Sequence, residues 1–192
     1  MATQEERRQA TREAILRAAH RQFGARGYGN VTIDQIAAEA KVAKGAIYHH
    51  FNTKTDVFEA VLHQVAAAIV ADVQSALDRQ TDVMTAIQAG NRAFFASCAE
   101  PLTAQIFLRD GPSVMGWSKW RQIDADNFGG MVKDGVRSAM ALGVIAERPI
   151  DPLVSLMLGA ITEAAISCAD EDDFSAAAEA YVDTLDAMFR GL

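Results

Sequence analysis

Apolar residues recur at helical spacing along most of the chain, and no stretch shows the period of two that is typical of strands. In residues 3–26 an apolar stripe that includes Ile15, Ala18 and Phe23 lies opposite a row of arginines, as in an amphipathic helix. A glycine-containing turn at 27–30 ends this helix. The pattern predicts an all-α protein of about nine helices.

Residues 32–51 are predicted to form two short helices joined by a tight turn. Thr32 is a suitable N-cap for the first helix, because its hydroxyl can accept a free amide hydrogen of the first turn. The second helix is expected over 43–50, with Ile47 facing inward and small, cationic and aromatic groups facing outward. The major groove of DNA accepts such a helix when it is propped against another one. This stretch is therefore predicted to read DNA.

A continuous amphipathic helix is predicted from Thr55 to Leu77, with no Gly- or Pro-rich linker beside it. Further helices are expected over residues 82–98, 102–108, 113–142, 153–169 and 174–189. We therefore divide the chain into a three-helix DNA-binding domain, 1–53, and a larger helical domain, 54–192. The helix from Thr55 is expected to join the two mechanically.

The net charge of −7 is distributed unevenly along the chain. Residues 1–54 hold nine Lys and Arg against five Asp and Glu, a net +4, whereas the other 138 residues hold nine against twenty, a net −11. A basic module on an acidic body is the layout expected when one end of a protein meets phosphates.

Residues 11–58 resemble the DNA-binding domain of the tetracycline-repressor (TetR) family of bacterial transcriptional regulators. The resemblance rests on the order and spacing of Ile15-Leu16, Ala18-Ala19, Phe23, Gly27, Thr32, Ile36-Ala37, Ala40, Val42, Lys44-Gly45, Ile47-Tyr48, His50-Phe51 and Lys54. Two positions depart from the family pattern: Lys41 stands where Gly is common, and Ala43 where Ser or Thr is common.

The residues predicted to contact DNA are Thr32, Ala43, Lys44, Gly45, Tyr48, His49, His50 and Lys54. Lys44 is the strongest candidate for a base edge, with Ala43 and His49 adding readout. The others are expected to position the DNA backbone, with Gly45 allowing its close approach and His50 having a structural role as the alternative. A cation at Lys54 opposes the dipole of its helix, which a DNA phosphate above the exposed amides would explain. Arg7 and Arg8 lie ahead of the packed part of their helix and are expected either to follow the DNA backbone or to reach a minor groove as a flexible arm.

Aromatic and thioether side chains concentrate between residues 84 and 131. They are either hydrophobic core or the wall of an apolar ligand cavity with a few polar groups. The predicted ligand-binding residues are Phe94, Phe95, Phe107, Arg109, Met115, Trp117, Trp120, Arg121 and Phe128.

The segment 153–168 is too apolar for a helix with one solvated face, and 174–189 is similar. The two helices are either buried within one protomer or paired with their copies across a two-fold axis. The resemblance implies the second arrangement, a homodimer with a four-helix interface. Its predicted residues are Leu153, Met157, Ala160, Ile161, Ala164, Tyr181, Leu185 and Met188.

Other classes of protein have little support in the sequence. No HxxxH, CxxC, phosphate-binding or dinucleotide-binding motif is present, so we expect no enzyme, no cofactor and no metal site. No apolar run approaches the roughly 20 residues that span a membrane. The first residues lack the apolar segment of a signal peptide, so we expect a cytoplasmic protein without membrane contact. Cys98 and Cys168 are expected to be buried thiols.

The resemblance implies a ligand-responsive repressor that leaves a palindromic operator on binding a small apolar or amphipathic effector. The proposed switch moves the helix from Thr55 and thereby the spacing of the two recognition helices. The alternatives are an activator of the same architecture and a ligand-binding protein without DNA binding.

Overall fold

The computed structural model describes residues 3–192, and every regular element in that range is helical, so the all-α prediction is confirmed. The α-helices are α1 (Gln4–Arg26), α2 (Ile33–Ala40), α3 (Lys44–Tyr48), α4 (Lys54–Leu77), α5 (Val83–Ala99), α6 (Pro101–Thr103), α7 (Gly111–Met115), α8 (Trp117–Ala141), α9 (Ile150–Ala169) and α10 (Phe174–Arg190). A 3-10 turn, Tyr28–Asn30, follows α1, and a π-helix, Ala104–Asp110, joins α6 to α7. The long helix predicted from Ser113 is interrupted at Gly116, where φ is 78°.

The chain forms two compact units. The first contains the N-terminal residues up to Val65 together with Pro101–Trp117, and the second contains Ala66–Glu100 together with Ser118–Leu192. Helix α4 runs without interruption from the first unit into the second, as its apolar pattern predicted. The functional boundary between residues 53 and 54 stays a prediction, because compactness groups 101–117 with the N-terminal helices.

Apolar faces of α1, α2, α3 and α4 build the core of the first unit. Phe23, Tyr28 and Phe58 form an aromatic cluster, with ring centroids 5.2 to 5.6 Å apart. Helix α6 approaches α1 closely at Gly24, where an added Cβ would lie 2.7 Å from the Cβ of Leu102. Because backbone-attached atoms occupy that space, a side chain at position 24 would force the two helices apart.

Residues 101–117 belong to the same core. The π-helix Ala104–Asp110 buries Ile106, Phe107 and Leu108, where the sequence predicted an ordinary short helix over 102–108. Periodicity alone does not distinguish a π-helix from an α-helix over two turns, since both present an apolar face.

Helices α5, α8, α9 and α10 build the second unit together with the C-terminal turns of α4. Trp120 is fully buried, and Val136, Ala139, Leu153, Met157 and Phe189 form one cluster of its core. Helix α9 buries side chains on most of its circumference, although Leu156 is 72% exposed.

Two of the described helices, α4 and α9, are long and apolar enough by length and composition alone to span a membrane. The sequence-based expectation that no segment would reach this threshold is therefore wrong. The observation is weak evidence for a membrane, because core helices of soluble proteins pass the same test. Both helices place buried side chains, such as Phe58 and Met157, in the packed units.

Candidate functional site

Helices α2 and α3 are joined by a turn with defined caps at both ends. Thr32 and Gln35 cap each other: the Thr32 hydroxyl accepts from the Gln35 N–H at 3.3 Å, and the Gln35 side chain accepts from the Thr32 N–H at 2.8 Å. Helix α2 ends at Lys41, which is left-handed with φ 57° and ψ 41°. Lys41 is the one non-glycine residue with positive φ in the described chain. The conformation explains why glycine suits this position.

Helix α3 is shorter than predicted and presents a continuous outer face. It spans Lys44–Tyr48, and the N–H groups of His49 and His50 close its last turn onto Gly45 and Ile47. Ile47 is fully buried and holds the helix against the core. The outer face carries the exposed residues Ala43, Lys44, Gly45, Tyr48 and His49. The structure thus brings five of the eight predicted DNA-contact residues onto one small surface.

Gly45 has no packing reason to be glycine. A Cβ added there would meet no atom within 4 Å. Glycine inside a helix costs about 0.5–1 kcal/mol relative to alanine, so this position gives up stability without an internal contact in return. A close approach of another molecule to α3 would account for it.

Lys44 is held on the outer face by an acidic neighbour from α2. Its ammonium lies 2.9 Å from the Asp34 carboxylate, and both side chains are more than half exposed. This hydrogen bond raises the pKa of Lys44. Such exposed pairs contribute little to stability, so the ammonium can exchange Asp34 for a base or phosphate at low cost.

Lys54 has internal partners that the sequence did not indicate. Its half-buried ammonium donates to the carbonyl oxygens of Tyr28 and Val31, each at 2.9 Å, and lies 3.9 Å from the centroid of the Tyr28 ring. The cost of a cation at the start of α4 is therefore offset within the protein, and no phosphate is required to explain it. Thr53 and Asp56 cap α4 reciprocally.

Two arginines of α1 lie near the end of α3. Burial lowers the pKa of the half-buried His50, and the charges of Arg8 and Arg12 lower it further. The Arg12 guanidinium carbon is 5.4 Å from the centroid of the Phe51 ring. Because α1 begins at Gln4, Arg7 and Arg8 lie within a helix, and the expected flexible arm is not formed by them. Arg8 and Arg12 are four residues apart, so they share one face of α1, and this spacing was the sequence signal that both charges lie near His50.

The π-helix holds the turn that leads into α2. The Asp110 carboxylate accepts a hydrogen bond from the backbone N–H of Tyr28 at 2.7 Å. The Tyr28 hydroxyl in turn lies 2.9 Å from the Thr55 hydroxyl on α4. The Tyr28–Asn30 turn is therefore fixed both by α4 and by residues 101–117.

The second unit contains a cavity of about 350 Å³. Its wall is mainly apolar, and the side chains that line it come from α4, α5, α8, α9 and α10. Polar groups on the wall include Gln74, Asn91 and Thr162. This composition and size are typical of sites for small organic molecules.

The structure does not gather the predicted ligand-binding residues into one site. Only two of them, Phe94 and Phe128, line the cavity, and Phe95 lines a smaller groove between α5 and α10. The first compact unit contains four others: Phe107, Arg109, Met115 and Trp117. Trp120 is buried core, and the Arg121 guanidinium lies 3.3 Å from the Asp124 carboxylate. An aromatic-rich sequence does not reveal which rings face a cavity, since core and cavity wall have the same composition.

The predicted dimer residues also separate into two groups. Leu153, Met157, Ala164 and Leu185 are buried within the protomer, so they are unavailable to a partner in this conformation. Ala160 and Ile161 are half-buried, while Tyr181 and Met188 are exposed. Leu156, one residue before Met157 on α9, is an exposed apolar side chain that the predicted set does not include.

Within residues 3–192, no group of three or more His, Cys, Asp or Glu side chains is arranged to hold a metal ion. Cys98 and Cys168 are free and buried, and burial raises the pKa of both thiols.

Comparisons with known proteins identify relatives of both the N-terminal and the C-terminal part of the chain. Residues 15–61 match the family described as bacterial regulatory proteins, tetR family, and residues 84–192 match the tetracyclin repressor-like C-terminal domain. The transcriptional regulator SrpR of Pseudomonas putida is 50% identical over 52 residues, which cover 27% of this chain and 24% of that protein. The chain thus spans about a quarter of the length of this curated relative.

Longer matches extend over most of the fold. The Transposon Tn10 TetC protein of Escherichia coli is 25% identical over 156 residues, 81% of this chain and 79% of that protein. The crystal structure of a TetR-family transcriptional regulator from Pectobacterium atrosepticum is 29% identical and has a TM-score of 0.87, covering 100% of this chain and 97% of that one. The C-terminal match covers more than half of the chain, and with the helix-turn-helix geometry it establishes that this protein belongs to the TetR family of bacterial regulatory proteins.

Proposed function

We propose that the protein is a ligand-responsive transcriptional repressor that binds a palindromic operator as a homodimer and releases it when a small molecule occupies the cavity. It acts in the cytoplasm and is not an enzyme. Its DNA-binding part is residues 1–53, and the remainder binds the effector and the second copy.

The observation that carries the proposal is the outer face of α3. It combines an exposed cation at Lys44, a glycine with open space at Gly45 and a half-exposed phenol at Tyr48. A helix with these groups can enter a major groove, where Lys44 would contact a base edge and Gly45 would allow the DNA backbone to come close. Thr32, Ala43, His49 and His50 would complete the contact surface. Lys54 would act mainly by holding the Tyr28–Asn30 turn.

Exposed apolar side chains on α9 and α10 support a homodimer. Leu156, Tyr181 and Met188 are 72%, 38% and 53% exposed in the protomer. A second copy would cover them, and it would supply a second α3 for the other half of the operator. A five-residue helix offers few contacts by itself, so two recognition helices about 34 Å apart are needed for specific binding.

Helix α4 supports the proposed switch because it carries contacts at both ends. Val73 and Leu77 near its C-terminus line the cavity, while Lys54 and Thr55 in its first turn hold the Tyr28 turn. A ligand that moves the C-terminal part of α4 would therefore move the support of α2 and α3. Equal operator affinity with and without every bound ligand would remove this mechanism.

The first test is selection of binding sites from a randomised duplex library at two salt concentrations. We expect a palindrome to be enriched at both, with neighbouring genes that identify the regulated promoter. Transcription from that promoter in cells with and without the gene then separates a repressor, whose loss raises transcription, from an activator, whose loss lowers it. Weak, strongly salt-dependent binding without an enriched sequence would contradict the proposal.

A further inference from the structure

The cavity in the second unit offers almost no charge to a ligand. Among the described residues that line it, Asp134 is the only titratable one, and it is no cation. Its side chain is 78% exposed and lies 3.0 Å from Arg137, so it belongs to the solvated rim. An anionic ligand would find no Lys, Arg or His on the described wall.

Behind Thr162 the group in direct contact is a carboxyl group and not a cation. The Thr162 hydroxyl on the wall lies 2.8 Å from the Leu158 carbonyl oxygen and 3.1 Å from the Asp124 carboxyl group. Arg121 is directed at Asp124 at 3.3 Å and is absent from the described wall. Burial raises the pKa of Asp124 to about 6, and the hydrogen bond from Thr162 and the charge of Arg121 oppose this shift only in part. An anion placed against Thr162 would meet a carboxyl group before it met the guanidinium.

Apart from Asp134 at the rim, the polar side chains on the described wall are neutral. The carboxamides of Gln74 on α4 and Asn91 on α5 both offer hydrogen-bonding groups, and the Gln74 Nε2 also donates to the Asp78 carboxylate at 2.7 Å. An uncharged hydroxyl, amine or carbonyl can be satisfied by them. A carboxylate or sulfonate would lose its hydration without gaining a counter-charge, which is strongly unfavourable in an apolar site.

We propose that this cavity takes an uncharged, mainly apolar molecule with one hydrogen-bonding group and rejects the anionic analogue of the same skeleton. The inference rests on the proposed function, in which the cavity is the effector site, and it adds the chemical class of the effector. At the close packing of protein interiors, 350 Å³ suits a molecule of about 15 non-hydrogen atoms.

Two fluorescent probes with one skeleton test the charge selection. N-phenyl-1-naphthylamine is neutral, and 8-anilinonaphthalene-1-sulfonate is the same ring system with a sulfonate. We expect the full-length protein to bind the neutral probe at least about tenfold more tightly than the sulfonate. We also expect 1-decanol to displace the neutral probe at concentrations at which decanoate at pH 8 does not. Equal or tighter binding of the anions would overturn the proposal.

Cavity-filling variants locate the probe. Gly135 on α8 lines the cavity, and a Cβ there would meet only Ile87, at an ordinary 3.8 Å. Gly135→Leu should therefore abolish binding of the neutral probe, whereas Gly130→Leu on the same helix, where an added Cβ meets nothing within 4 Å, should leave it unchanged. Retained probe binding in a folded Gly135→Leu protein would show that the probe binds elsewhere. That result would overturn the assignment of this cavity as the binding site. Should Gly135→Leu fail to fold, Ala86→Leu fills the wall from α5.

A gain-of-function variant gives an independent test of the same idea. Asn91→Lys places an ammonium on the wall and should reverse or erase the preference for the neutral probe. No change in the ratio of the two affinities would contradict the role assigned to the neutral wall.

The proposed function can fail without this inference, and the reverse also holds. Preference for the neutral probe together with no selected DNA sequence would contradict the regulator and leave the ligand class standing. A selected palindrome together with preference for the anionic probe would contradict the ligand class and leave the regulator standing.

Discussion

The carboxylate of Asp110 accepts a hydrogen bond from the backbone N–H of Tyr28, 2.7 Å away in space and 82 residues away in the chain. Both residues belong to the first unit, and the bond holds the turn that leads to Thr32 and α2. Residues 101–117 follow α5 and lead into α8 along the chain, and they belong to the first unit. Through Asp110 they help to support the helix-turn-helix.

Removing this bond should loosen the turn. Asp110→Ala leaves the half-buried Tyr28 N–H without its acceptor, and we expect the first unit to lose about 1–3 kcal/mol of stability. Hydrogen exchange in a peptide covering residues 23–31 should become faster. Asp126→Ala on α8, whose exposed side chain accepts from Gln122, is the control and should leave that exchange unchanged. Unchanged exchange in Asp110→Ala would contradict the structural role of the bond.

Lys44 and Lys54 should give different phenotypes on substitution. Lys44→Ala should lower the affinity for the selected operator by roughly tenfold or more and relax one base position, with little effect on folding. Lys54→Ala should lower stability by about 1–3 kcal/mol, because two carbonyl oxygens and the Tyr28 ring lose their cation. Its DNA affinity should fall uniformly across sequences. Chemical denaturation and operator titrations of both variants make the comparison, and an unfolded-like Lys44→Ala would contradict it.

Lys41 stores backbone strain that glycine should relieve. A left-handed conformation costs an L-residue about 1 kcal/mol, and the gain from glycine is partly offset by its greater freedom when unfolded. We therefore expect Lys41→Gly to raise the free energy of unfolding by about 0.5 kcal/mol. Lys41→Ala removes the same charge and keeps the strain, so it should not stabilise. Equal stability of the two variants would contradict a conformational origin.

Gly45→Ala should separate stability from DNA binding. Open space around the added methyl predicts a gain of about 0.5–1 kcal/mol in the free energy of unfolding. Operator affinity should fall, because the methyl would stand between α3 and the DNA backbone. Gly130→Ala on α8 also has open space and should stabilise without changing operator affinity. Undiminished operator binding by Gly45→Ala would exclude a close approach at this point.

Asp124 should make stability depend on pH in a specific window. Its folded-state pKa of about 6 lies above the unfolded value of about 3.9, so the folded state binds the proton more tightly. The protonated carboxyl group contributes to the free energy of unfolding fully below about pH 4, and this contribution is lost as the pH rises through about 6. Asp124→Asn should therefore match wild type at pH 4 and be more stable by about 1–3 kcal/mol at pH 8. Asp126→Asn, exposed on the same helix, should follow wild type at both pH values.

The local architecture of the helix-turn-helix could be predicted from the sequence. The Thr32 cap, the inward position of Ile47 and the outward position of Lys44 and Tyr48 depend on residues within one or two turns of each other. Helical periodicity and capping are local, and no long-range contact is needed to infer them. The same applies to the uninterrupted helix α4.

Tertiary structure decided what periodicity could not distinguish. Phe94 and Phe107 are equivalent as apolar helical residues, yet one lines the cavity and the other is buried among the N-terminal helices. The sequence pattern predicted that Lys54 contacts DNA. In the structure its ammonium donates to carbonyl oxygens 23 and 26 residues earlier in the chain. Sequence by itself therefore determined the family, the all-α class and the outer face of α3, since these rest on local patterns. Which apolar side chains surround a cavity, and which polar groups are already satisfied, depends on how distant segments pack, and only the three-dimensional structure contains that information.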